Sequence, residues 1–148
     1  MMTITKKQFQ NLILVQVLVL VVYVVASFFT TMLLPAELQT FVNASYDRDL
    51  RVWDIVMIIT ALPFLAWVIY NLRALYTFKP HAPKHLLYIT IVSAGFYLNI
   101  FEPLVFTNID AFFSDFLFVL TGFTLALVFF SNIALEFKTP VDTAGVTK

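Results

Sequence analysis

Two stretches, residues 12–34 and 116–135, contain no charged side chain. Each is about the length of a helix that crosses a bilayer, roughly 20 mainly apolar residues. Such runs cannot be buried in a soluble domain of this size. The whole chain has 148 residues and is 61% hydrophobic and 12% charged. Soluble domains carry roughly 45–50% apolar and about 25% charged residues. A short chain buries only part of its surface on folding, so this much hydrocarbon needs lipid as its solvent.

Two further segments complete the expected set of spans. One covers 52–75, with Asp54 near its start and Arg73 near its end. The other covers 85–103, where Asn99, Glu102 and Pro103 weaken the final third. With 12–34 and 111–135 these give an all-α, antiparallel four-transmembrane-helix bundle in one domain, residues 1–148. A half-spanning third segment is the alternative. A polar tail covers 138–148. The first stretch is too long for the roughly 7–15-residue apolar core of a signal peptide, and bulky Phe28 follows Ala26 and Ser27 where a cleavage site needs small residues. It is expected to stay as a span.

Charge placement sets the orientation. Lys6 and Lys7 precede the first span, and Arg73, Lys79 and Lys84 flank the second connection together with His81 and His85. The first connection mixes Glu37, Asp47 and Asp49 with Arg48 and Arg51, while the third carries Asp110 and no basic residue. Lysine and arginine are retained on the cytoplasmic side, which predicts both termini inside. Lys79-Pro80-His81-Ala82-Pro83-Lys84 breaks the chain twice with proline. The short second and third connections make consecutive helices antiparallel neighbours. Tyr46, Trp53 and Tyr76 fall near span ends, where aromatic belts form. Short loops and compact size point to a bacterial inner membrane. Asn43-Ala44-Ser45 fits a glycosylation sequon, which matters only in a eukaryotic secretory membrane.

The few polar side chains recur at helical spacing. Gln16, Tyr23, Ser27 and Thr30 follow one another at seven, four and three residues. Asp110, Ser114, Thr121, Thr124 and Ser131 follow at four, seven, three and seven. Tyr88, Gly95, Asn99 and Glu102 mark a third stripe. These spacings keep to one helix face, and such faces are expected to meet in the bundle interior away from lipid. Gly95 and Gly122 are expected to permit close backbone approach. The stripes read first as interhelical hydrogen bonding, with a polar path or cavity as the sharper alternative.

Asn99, Glu102, Asp110, Asp115 and Asp54 form a candidate polar or ion site toward the outer face. Asp54, Asp110 and Asp115 lie near helix starts, where unpaired amides favour carboxylates. Glu102 lies near a helix end that disfavours one. There a nearby Asp110 would raise one of the two pKa values and allow a shared proton or cation.

Several classes drop out. With 9 basic and 9 acidic residues the chain has no electrostatic case for nucleic acid. Without cysteine it has no disulfide or thiolate site. Three glycines form no phosphate loop, and no nucleophile elbow is present. His81 and His85 lack the glutamate of a zinc protease motif, so no metal or other cofactor is expected. The leading expectation is a non-enzymatic protein that works by helix contact with another membrane protein, as an accessory subunit or as an immunity-type inhibitor of a membrane-inserting partner. The alternative is a small homo-oligomeric channel or carrier for ions or protons with an outer acidic mouth. A lipid-acting enzyme with a divalent cation at the acidic cluster is weaker still, because no basic residue there would hold a phosphate.

Overall fold

A computed structural model of the chain describes residues 3–29, 32, 34–46, 52–97 and 108–138. All regular structure among them is helical: α1 (Lys6–Phe28), α2 (Ala36–Tyr46), α3 (Val52–Tyr76), α4 (Ala82–Tyr97), α5 (Asn108–Phe130) and a terminal 3-10 helix (Asn132–Phe137). Three segments are long and apolar enough to cross a membrane, Lys6–Ser27, Ile59–Tyr76 and Ala111–Phe130. The expected third span is described as a helix only over the 16 residues of α4, and residues 98–103 of it lie outside the described set.

The first span begins earlier than its hydropathy suggests. Thr5 caps α1: the Gln8 N–H donates to the Thr5 hydroxyl at 3.2 Å, and the Thr5 N–H donates to Gln8 Oε1 at 2.9 Å. This reciprocal pair satisfies amides that a helix start leaves open, so the helix takes in Lys6 and Lys7 and ends at Phe28 rather than Leu34. Leu34 is buried, and α2 occupies part of the segment expected to be an outer loop.

Helix α1 buries Phe9, Ile13, Gln16 and Val19 and exposes Leu14, Leu18, Val21 and Val25. The buried set follows the i, i+4, i+7 pattern of one face. In α5 the buried set is Ser114, Thr124, Leu127 and Val128, again one face. Helix α1 packs on α3 and α5, α3 on α4, and α4 on α5, so the four touch in a closed cycle. Pro63 lies within α3 without ending it; its missing N–H leaves the Ile59 carbonyl without its usual helical donor.

One end of the cycle is tightly closed. Phe9, Ile13, Leu75, Ala82, Leu127, Ile133 and Phe137 form its core. The rings of Phe9, Phe78 and Phe137 meet with centroids 5.4–5.9 Å apart. Phe78 reaches them from a left-handed backbone, φ 54°. Its N–H donates to the Leu75 carbonyl at 3.1 Å and the Lys79 N–H to the Ala74 carbonyl at 2.9 Å. That is a Schellman ending of α3, a position that usually takes glycine; here the ring contacts offset the backbone strain.

Both described ends of the chain also meet there. The Ile4 N–H donates to Asn132 Oδ1 and Asn132 Nδ2 donates back to the Ile4 carbonyl, each at 2.8 Å. Lys6 pairs with Glu136 at 2.7 Å. Gln10 Nε2 donates to the Tyr76 carbonyl at 3.2 Å, tying α1 to the end of α3.

Candidate functional site: a polar cavity between the helices

Beyond this closed end, α1, α3, α4 and α5 line a half-open cavity of about 320 Å³. That is the lower end of the roughly 300–1,000 Å³ typical of small-ligand sites. Leu20, Val24, Phe64, Leu65, Val68 and Ile89 supply most of its hydrocarbon wall. Into this apolar frame project Gln16 from α1 and Asn71 from α3, with Tyr23, Thr90, Ser93, Ser114 and Thr121 around them.

The two amides define the chemistry. Gln16 is 3% exposed and Asn71 1% exposed. Gln16 Nε2 donates to Thr124 Oγ1 at 2.9 Å across the α1–α5 interface. The Thr124 hydroxyl in turn donates to the Leu120 carbonyl of its own helix at 2.9 Å. Neither Gln16 Oε1 nor Asn71 Oδ1 receives a hydrogen bond from any described residue. A buried amide carbonyl without a donor costs about 1–3 kcal/mol. The two amides border the cavity, with both carbonyl oxygens sealed within the surrounding packing, a low-dielectric setting where an unpaired acceptor is costly.

The expected stripes divide between this cavity and other roles. Gln16, Tyr23, Ser114 and Thr121 come together on its wall, and Thr124 lies against it through Gln16. Ser27 instead is exposed and donates to the Tyr23 carbonyl of its own helix. Ser131 is buried but acts locally: its hydroxyl donates to the Leu127 carbonyl at 2.6 Å and accepts from the Ile133 N–H at 3.1 Å. It closes α5 and caps the 3-10 helix. No described heavy atom lies within 4 Å of a Cβ built on Gly95 or Gly122, so these glycines do not mark close helix approach.

The acidic group is only partly in view. Asn99 and Glu102 lie outside the described residues, as does Thr30 of the first stripe. Asp54 and Asp110 fall in the first turns of α3 and α5, where backbone alone is described. Asp115 is exposed, one residue beyond the buried, cavity-lining Ser114.

Two features escaped the sequence reading. Asn71 shares its helix face with Thr60, eleven residues earlier, but no polar residue falls at the three-, four- or seven-residue steps between them; its main signal is an amide inside an apolar run. The histidines, which the sequence placed only in the second connection, join α3 to the start of α4. Trp67 Nε1 donates to His85 Nδ1 at 3.3 Å, which leaves the proton of a neutral His85 ring on Nε2. Tyr70 stacks on His81 at 5.9 Å with its hydroxyl 3.2 Å from Nε2.

The chain matches no family model, no curated protein and no solved structure.

Proposed function

We propose that this chain is a non-enzymatic, four-span integral membrane protein that works by contact with another membrane protein, as an accessory subunit or immunity-type partner. The observation that carries this reading is the pair of buried amides on the wall of one interhelical cavity, Gln16 and Asn71, whose carbonyl oxygens have no described donor. A partner side chain bearing N–H or O–H donors would satisfy both once the two amides turn toward the cavity. Amides, hydroxyls and hydrocarbon line the cavity, a set suited to holding a group rather than transforming it.

Topology follows the same reading. The described lysines and arginines are Lys6, Lys7, Arg73, Lys79, Lys84 and Lys138, and all belong to the end closed by the phenylalanine cluster. Asp54, Asp110 and Asp115 belong to the other end. Positive residues stay in the cytoplasm, which supports both termini inside; the short connections and compact size favour a bacterial inner membrane as the address. The α1–α3–α4–α5 cycle supports α4 as the fourth span of a bundle.

Purification of the full chain in mild detergent, with mass determination of the intact complex, tests the proposal. A stoichiometric heteromeric partner is expected. Its loss is expected in Gln16→Met combined with Asn71→Leu, with helix content retained. A clean monomer without a partner refutes the reading.

A carrier of ions or protons acting as a homo-oligomer is the second reading. It draws on Thr90, Ser93, Ser114 and Thr121, whose hydroxyls from α4 and α5 join the two amides along the cavity. Reconstituted protein should then pass ions or protons across liposomes. Liposomes that stay tight at several ionic conditions remove this reading.

A further inference from the structure

A second concavity lies on the outer side of the α1–α3 seam. It has a volume of about 540 Å³. Leu20, Val24, Leu65 and Leu72 border both this groove and the inner cavity. The outward wall is Leu14, Val17, Val21 and Val25 of α1 facing Ile69 of α3, all exposed apolar side chains. Arg73 and Tyr76, in the last turn of α3, complete the lining at one end with their hydrocarbon.

We propose that this groove seats one anionic phospholipid, with an acyl chain along α1 and α3 and the phosphate on Arg73. Three observations converge on that occupant. The groove follows α1 from Ile13 to Val25, a rise of about 18 Å at roughly 1.5 Å per residue. One leaflet of the hydrocarbon core is about 15 Å thick, half of roughly 30 Å, so the groove matches one chain in one leaflet. Arg73 also stands where a headgroup belongs, three residues before the end of the candidate span Ile59–Tyr76.

Charge is the third. The ion pair among the described residues joins Lys6 and Glu136, and Arg73, which is exposed, has no described carboxylate partner. A guanidinium binds phosphate through two parallel N–H donors. Tyr76 lies three residues on in the same turn, its carbonyl held by Gln10 Nε2. A snorkelling arginine alone would account for the charge but not for an apolar channel of one-leaflet length that ends on it.

Native mass spectrometry of the full chain released from detergent tests the assignment, with phosphatidylglycerol and phosphatidylcholine of identical chains as probes. One phosphatidylglycerol per chain is expected, retained about tenfold more tightly than phosphatidylcholine, a difference of about 1.4 kcal/mol. Arg73→Gln should bring the two lipids level. Val17→Trp, which fills the groove without touching Arg73, should abolish retention of both. Circular dichroism on each variant checks that helix content is unchanged. Equal retention of both lipids by the unaltered chain, a preference that survives Arg73→Gln, or lipid still bound to a folded Val17→Trp would each overturn the proposal. A dimer that carries no lipid would overturn it too, by placing a second copy in the groove.

Discussion

Replacing Gln16 by methionine should leave the isolated protein more stable, although it deletes the only side-chain bond described between α1 and α5 within the spans. The sum is short. The lost Gln16–Thr124 bond is worth about 0.6 kcal/mol in a bilayer. The same substitution removes the unpaired Oε1, whose burial costs about 1–3 kcal/mol. The net gain is about 0.4–2.4 kcal/mol. Methionine keeps the length and flexibility of the side chain, so little cavity or strain is added. Thr124 is not orphaned, because its hydroxyl still donates to Leu120. Reversible unfolding in mixed micelles, followed by circular dichroism on purified chain, measures the change. The opposite variant is the control: Thr124→Val leaves the Gln16 N–H without its acceptor and should destabilise by about 1–2 kcal/mol. A Gln16→Met protein that loses more than about 1 kcal/mol refutes the reasoning, since the carbonyl must then have a partner in the folded state.

Other substitutions test other parts of the structure in the same assay. Asn71→Leu removes the second unpaired carbonyl without breaking any described side-chain bond, and should stabilise by about 1–3 kcal/mol; destabilisation would mean that Oδ1 is satisfied. Phe78→Ala should cost about 2 kcal/mol of ring packing, whereas Phe78→Gly should cost about 1 kcal/mol less than that because glycine accepts φ 54° without strain; a glycine variant no better than alanine would contradict this account of the turn. Gly95→Ala and Gly122→Ala meet open space and should each gain about 0.5–1 kcal/mol, so a loss at either would show a close contact there. Asn132→Ala severs both bonds to Ile4 and should lower stability by about 1–2 kcal/mol, more than Lys6→Gln, whose exposed ion pair is worth at most about 1 kcal/mol.

Periodicity made the buried faces of α1 and α5 readable in the sequence, because Gln16, Ser114 and Thr124 sit at turn-like spacings in otherwise featureless hydrocarbon. The same rule reached too far with Ser27. Eleven residues at about 100° each return it to within about 20° of Gln16, yet it is exposed. Angle fixes direction along a helix; it does not guarantee that another helix stands opposite at that height. Hydropathy placed the first span six residues late, because a capping box at Thr5 and Gln8 sets the helix start whatever the polarity of Lys6 and Lys7. Small residues at 95 and 122 suggested close packing, but composition carries no information on interhelical distance. Asn71 and the Trp67–His85 and Tyr70–His81 pairs needed three-dimensional proximity, which one strand of text does not hold.

The division between a closed end and a polar middle follows from what can hold helices together in lipid. Apolar burial gives little net attraction there, since lipid chains are as greasy as leucine. Close packing and hydrogen bonds must do it instead. The closed end concentrates both: three interlocked phenylalanine rings, a capped α1, the reciprocal Ile4–Asn132 amide pair and the Gln10–Tyr76 tie. With the helices pinned at that end, the middle is free to carry groups that oppose folding. Two unpaired carbonyls together cost about 2–6 kcal/mol, a burden that a bundle held only at its centre could not bear. Both residues border a cavity rather than a fully packed seam. On the proposed reading, a donor that reaches Gln16 and Asn71 would recover that free energy as binding.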